Sequence, residues 1–230
     1  MRDNPVVLDS IRIQPMTAGT LTTKLPALVI DPTDYLVVDI ATGRHVPGDA
    51  IHAAQLAQEH DLTATEALEA IEGAWHLGLL SFLPDATSGI VVWTPQVTQR
   101  QVHRLARAMA TTVATGGLTP AGAPDLIDGE GSRFGAVELF GLSAPCDVDL
   151  FLELARALLS RSAPHLVDEL VAPIAVLYSD EAQAVHAIEF AAPAVVRQEI
   201  VAEMVRSLMD GRSDDFADHL ADYVVALAVE

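Results

Sequence analysis

The sequence is poor in cations and in sulfur. Of its 230 residues 13 are Lys or Arg, against 32 Asp or Glu, for a formal net charge of −19. Lys24 is the only lysine. Affinity for nucleic acid rests mainly on Lys and Arg contacts to phosphate, so composition alone sets nucleic acid low among possible partners. Cys146 is the only cysteine. That excludes an intrachain disulfide and any CxxC metal site, and it suits a reducing cytoplasm. Aromatic residues make up 5% of the chain, too few for a stacking surface that would hold sugars or single strands. There is no run of about 18 apolar residues, so no membrane span is expected. In MRDNPVVLDSIRIQ charges interrupt each apolar cluster, and no signal peptide is expected.

What the chain does have is apolar bulk. Half of its residues are hydrophobic and the mean hydropathy is +0.32, which argues for an ordered core rather than a disordered chain. The length suits one large domain or two small ones.

Residues 1–30 read as an extended N-terminal arm with the aliphatic clusters VVLDSIRI and LPALVI. A compact pattern starts at Asp31-Pro32-Thr33, where proline in a first turn marks a helix start. This helix is expected to stop at Gly43. Pro47-Gly48-Asp49 reads as a turn. A second helix is expected over AIHAAQLAQEH, with Ile51, Ala54 and Leu56 inward. Thr63-x-x-Glu66 has the form of a capping box and opens a third helix. Its Leu68, Ile71, Trp75 and Leu79 recur at helical spacing, and Gly78 suits its C-terminal stop. The apolar runs 79–83 and 90–93, joined by PDATSG, read as a hairpin. Helix, helix, helix and hairpin over 31–96 is the order of a winged helix-turn-helix.

From 97 to 230 the pattern is helical. One helix is expected from Val97 to Val113. The Gly- and Pro-containing stretch from Gly116 reads as a loop or broken helix. DVDLFLELARALLS is apolar on most sides, as a buried helix is. Shorter helices are expected over 164–179 and 181–190, and an antiparallel helix pair over 195–210 and 213–228. The fold class is therefore mainly α: an N-terminal winged helix-turn-helix and a C-terminal all-helical domain.

The winged-helix segment resembles the GntR family of bacterial transcription regulators. Pro47-Gly48, Ile51 and Leu56-Ala57 match its second helix. Thr63, Glu69-Ala70-Ile71 and Gly78-Leu79 match its recognition helix, and Gly89 with Val92 matches its wing. The C-terminal part is similar to the all-helical effector domain of the FadR subgroup, called FCD, on the spacing of Asp147, Leu150, Phe151, Leu154 and Ala155 and on the closing helix pair. The resemblance implies a ligand-responsive transcription regulator that binds operator DNA as a homodimer.

The chain departs from the family where the family does its chemistry. Arginines that read DNA are replaced by Gln55, Ala64 and Leu68, and the basic residue before the wing glycine by Ser88. Alanine and leucine cannot make the bidentate bonds that arginine makes to guanine and phosphate. Between 34 and 98 Arg44 is the only Lys or Arg, beside nine acids: Asp34, Asp39, Asp49, Glu59, Asp61, Glu66, Glu69, Glu72 and Asp85. The remaining candidates for DNA contact are Arg44, Thr63, Thr65 and Gly89, with Arg100 and Arg104 on a stripe that continues to Arg107. The same stripe also reads as a solvated helix face or as salt bridges to the acidic winged helix, and Thr63 as a plain helix cap.

Many FCD domains hold a metal with one Asp and three His. Here Asp147 is present, Phe151 stands where a His would, Arg197 and Val201 occupy the third region, and His219 and Tyr223 lie near the last. No metal and no cofactor are expected. A small apolar or acyl-type effector is the alternative, in a pocket drawn from Asp147, Phe151, Leu154, Leu158, Arg197, His219 and Tyr223, unless the apolar members simply fill the core. Enzyme motifs are missing: there is no GxSxG elbow, and neither a GxGxxG after a strand nor a P-loop. No catalytic activity is expected. A second reading keeps the regulator fold without DNA binding, as a ligand-sensing or protein-interaction module, or as the partner of a DNA-competent chain in a heterodimer.

Overall fold

A computed structural model describes residues 31–84, 87–116, 142 and 144–229. The expected arm over 1–30 and the Gly- and Pro-containing stretch over 117–141 lie outside the described residues.

Helix α1 spans Pro32–Ala41. Asp31 caps it, its carboxylate accepting the Thr33 amide at 2.8 Å, with Pro32 in the first turn, where a missing N–H costs nothing. Gly43 follows in the left-handed region at φ 73°, a conformation that favours glycine. The second helix begins later than its sequence suggests. Ala50–His52 forms a strand, β1, and only Ala53–Glu59 is helical, α2. The reason is pairing. Ala50, Ile51 and His52 sit opposite Ile90, Gly89 and Ser88 of strand β3, Ser88–Val91, in antiparallel register. Strand β2, Leu80–Phe82, lies on the other side of β3, for a sheet order β1-β3-β2.

Helix α3, Ala64–His76, carries the capping box in full. The Thr63 hydroxyl accepts the Glu66 amide at 3.2 Å and the Glu66 carboxylate accepts the Thr63 amide at 2.8 Å. Gly78, at φ 76°, ends it. The buried face of α3 is built from Ala67, Ala70, Ile71 and Ala74. Leu68 and Trp75, which recur at helical spacing with the buried Ile71 and Leu79, are 39% and 44% exposed. Helices α1 and α3 approach closely where Gly73 meets the Thr33 side chain, so small residues hold the contact and the two large side chains are left on the outer face.

Helix α4, Pro95–Ala114, leaves the sheet and enters the helical part. The others are α5, Cys146–Leu159; α6, Pro164–Leu177; α7, Asp180–His186; α8, Ala194–Met209; and α9, Ser213–Ala226. Helices α8 and α9 pack as the expected pair, and α4 packs on α5, α6 and α9. None of the described helices is long and apolar enough to cross a membrane.

One core runs through both parts. Leu36, Ile40, Ile71 and Leu79 of the winged helix join Leu105, Phe151, Tyr178, Phe216 and Tyr223 of the helical part in a single buried cluster. Burying a side chain of this size stabilises by roughly 1.5–3 kcal/mol. Polar contacts cross the same boundary. His186 Nε2–H donates to the Ile40 carbonyl at 2.7 Å, and its ring meets Trp93 edge-on at 4.7 Å. Gln101 donates to the Leu77 carbonyl at 2.6 Å, and the Trp93 indole N–H to Thr98 at 3.0 Å. The winged helix is therefore set on α4, α6 and α7.

Candidate functional sites

The first site is the outer face of the winged helix. Arg44 lies just past α1, and its Nη1 is 2.9 Å from Asp39 Oδ1. Asp39 is buried and also accepts from His60 Nε2 at 2.7 Å, with His45 Nε2 3.9 Å away. Arg44 is thus paired to an acid of the preceding helix, although its side chain is 61% exposed. Thr63 is the cap of α3, and its hydroxyl also donates to Glu66 at 2.7 Å. These bonds hold the Glu66 carboxyl below the ordinary carboxylate range, the backbone bond at Thr63 contributing most. Thr65 is exposed on the first turn of α3. Gly89 is buried in the sheet, between Ile51 and Phe82, against the Leu80 side chain; a Cβ there would crowd Leu80. It is a close-packing position of the wing.

Gln55, at a position where the resemblance expects arginine, donates to Glu59 at 2.8 Å. The face of α3 that points away from the core presents Thr65, Leu68, Glu69, Glu72, Trp75 and His76. Phe82 of β2, 39% exposed, packs against Trp75 with the rings tilted and their centres 5.3 Å apart. This surface is apolar along its ridge and acidic on its flank. It has no guanidinium to meet a guanine edge, and its carboxylates oppose a phosphate backbone.

Of the stripe on α4, Arg100 is exposed. Arg104 is spent on Glu169 of α6 at 3.1 Å. Arg104 and Arg107 line a shallow surface cavity of about 450 Å³ together with Thr111, Thr115 and Ser162.

The second site is the centre of the helical part. Here the structure brings four of the seven effector-pocket candidates together, Arg197, Tyr223 and Phe151 gathering about the carboxylate of Asp147. Asp147, on the first turn of α5, is fully buried. Arg197 of α8 reaches it with Nε at 2.6 Å from Oδ2 and Nη2 at 3.0 Å from Oδ1. The Tyr223 hydroxyl of α9 donates to Oδ2 at 3.1 Å. Arg197 Nη1 donates to the Ala192 carbonyl at 2.7 Å, and its guanidinium lies over the Phe190 ring, 4.5 Å from the centre. The Phe151 ring lies 5.0 Å from that of Tyr223. Burial and the neighbouring Asp147 carboxylate push the Tyr223 phenol well above its ordinary pKa, so it stays protonated and remains a donor. Leu154 is buried in the core, and His219 stands half-buried one turn before Tyr223.

These residues do not fit a metal ion. Both oxygens of Asp147 are taken up by the fork of Arg197, Phe151 offers no donor atom, and Tyr223 presents its proton to the carboxylate. Among the described residues no group of three or more His, Cys, Asp or Glu could hold one. The guanidinium supplies the positive charge that the buried carboxylate needs, and the set forms a closed polar centre.

Spacing does not reveal the partners of His45 and His60 at Asp39, of His186 at Ile40 or of Phe190 at Arg197, because each meets its partner only through tertiary packing.

Together these features define a winged helix-turn-helix carried on a helical domain. Solved structures similar to this chain include McbR/YncC of E. coli (15% identity, 84% of this chain and 91% of that one, TM-score 0.49). Others are Lar, which controls expression of the Listeria monocytogenes agr system (12% identity, 85% and 92%, TM-score 0.46), and a Rhodococcus sp. RHA1 protein assigned as a transcriptional regulator GntR (15% identity, 84% and 91%, TM-score 0.45). No protein-family profile matches the chain, and no curated protein does. At such identities and TM-scores the likeness assigns no role to this chain.

Proposed function

We propose that the chain is a transcriptional regulator of GntR type whose recognition helix does not itself read operator DNA. One observation carries this reading: the exposed face of α3 presents Leu68, Glu69, Glu72 and Trp75 on an otherwise complete winged helix-turn-helix. The scaffold supports regulation. The side chains oppose direct recognition, because acids repel phosphate and neither leucine nor tryptophan matches a guanine edge. Arg44 adds little, being paired with Asp39, and so does Arg104, paired with Glu169.

In this reading the working unit is a homodimer, or a heterodimer with a DNA-competent chain. Leu150, Val195, Met209 and Val225 are exposed apolar side chains of the helical part and supply surface for association. Effector responsiveness through the Asp147 centre is not favoured, because its polar groups already satisfy one another. The test is a transcript profile of a strain lacking the gene. The expected result is a changed level of a small set of transcripts, restored by the intact chain. An unchanged profile in every growth condition tried would contradict a regulatory role.

A further inference from the structure

The outer face of α3 has a shape and charge that DNA binding does not use. Leu68 and Trp75 stand two helical turns apart, at i and i+7, and Phe82 of the wing extends the apolar ridge beside Trp75. At the α-helical rise the ridge spans about 10 Å between its two helix positions. Exposed leucine, tryptophan and phenylalanine side by side form a patch of the kind that marks an interface, and aromatic anchors dominate interface energies. Glu69 and Glu72 flank it, both exposed. Glu72 lies 3.8 Å from His76, on its own helix. Across the whole winged helix the one Lys or Arg is Arg44, and it is paired.

We infer that this face docks a cationic amphipathic helix of a protein partner. The apolar stripe of that helix would lie on Leu68, Trp75 and Phe82, and its Lys or Arg flank would meet Glu69 and Glu72. Charge complementarity chooses this occupant: an apolar partner without cations leaves the two carboxylates unpaired, and an acidic one is repelled. An i, i+7 stripe is the spacing with which one helix meets another. The inference rests on the reading that α3 does not meet DNA.

Trp75 makes the test direct, because the other tryptophan, Trp93, is buried. Acrylamide quenching of the full chain therefore reports mainly on Trp75. The probe is a synthetic helical Leu/Lys peptide of about five turns, with a scrambled peptide of the same composition as its control. The expected result is a saturable loss of quenching and a blue shift of emission with the ordered peptide alone. Leu68→Glu, and Glu69→Lys with Glu72→Lys, each weaken binding by about tenfold or more; both changes are on exposed positions, and far-UV circular dichroism checks that the fold is kept. Charge reversal at the distant Asp218 and Asp222 of α9 leaves binding unchanged.

Equal protection by the scrambled peptide, or none by either, would overturn the inference while leaving the proposed function standing. So would a Trp75 already shielded in the dilute chain, which assigns the face to residues 1–30, or shielding that grows with chain concentration, which assigns it to a second copy. Shielding by a DNA duplex would overturn both the inference and the reading beneath it.

Discussion

Arg197 and Asp147, fifty positions apart in sequence, form a two-point ion pair in which both side chains are buried, with Nε–Oδ2 at 2.6 Å and Nη2–Oδ1 at 3.0 Å. The pair ties α5 to α8, and Tyr223 adds α9. A buried pair of this kind contributes little net stability over an apolar replacement, but breaking it strands a charge. Arg197→Met is therefore expected to destabilise the chain by about 3–5 kcal/mol. The double change Arg197→Met with Asp147→Leu should recover most of that loss. Urea unfolding of the two variants checks this; equal losses in both would show that volume, and not charge, decides.

The same closed centre predicts indifference to metals. Zn²⁺, Ni²⁺ or Mn²⁺ in excess is expected to shift the melting temperature by less than about 1 °C, since a ligand stabilises only what it binds. Chelator should be equally without effect. A shift of several degrees that rises with metal concentration would contradict the assignment of Arg197 as the counter-charge.

Asp34 in the first turn of α1 has a carboxyl pushed up to about 6, by burial first and by the nearby Asp31 second. An acid whose folded pKa is raised binds more protons folded than unfolded. Its ionisation therefore opposes folding, and stability falls as pH rises from about 4 to about 6. Asp34→Asn should remove this slope. After discounting for the part of the side chain left to solvent and for lost helix-dipole attraction, the gain at neutral pH is about 1 kcal/mol. Thermal melts across that pH window test it; an unchanged slope would exclude Asp34 as its source.

The winged helix and the helical part share one core and the His186–Ile40 bond. Unfolding followed by Trp93 and Trp75 fluorescence is expected to coincide with unfolding followed by far-UV circular dichroism. His186→Ala removes the bond that links the two parts at the Ile40 carbonyl, to which the Gly43 amide still donates at 3.0 Å, and should cost about 1 kcal/mol. Two separate transitions in the unaltered chain would show that the parts fold independently.

Much of the fold is legible in the sequence because its signals are local. Asp31-Pro32, Thr63-x-x-Glu66, Gly78 and the helix pair after Pro193 work within a turn or two of themselves. Strand β1 is not legible, because Ala50–His52 is extended only through its partner β3. Leu68 and Trp75 mislead for a related reason. Spacing groups them with Ile71 and Leu79, which are buried, but Ala67, Ala70 and Ala74 make the close contact that α1 needs and leave Leu68 and Trp75 on the outer face. Of the candidate site, Asp147, Phe151, Arg197 and Tyr223 do converge. Their meaning changes, since spacing cannot show that the arginine fills the carboxylate. That Gln55, Ala64 and Leu68 stand where the resemblance expects arginine is legible at once, being a matter of residue identity.

The proposed function requires that α3 does not read DNA. Fluorescence anisotropy of the full chain on duplexes from upstream of its own gene, at low salt, is the decisive measurement. No saturable binding is expected up to about 10 μM, far above the range of specific operator complexes, and no gain when salt is lowered further. Saturable binding that distinguishes one duplex from others, and that is lost on Leu68→Glu or Thr65→Glu, would contradict it.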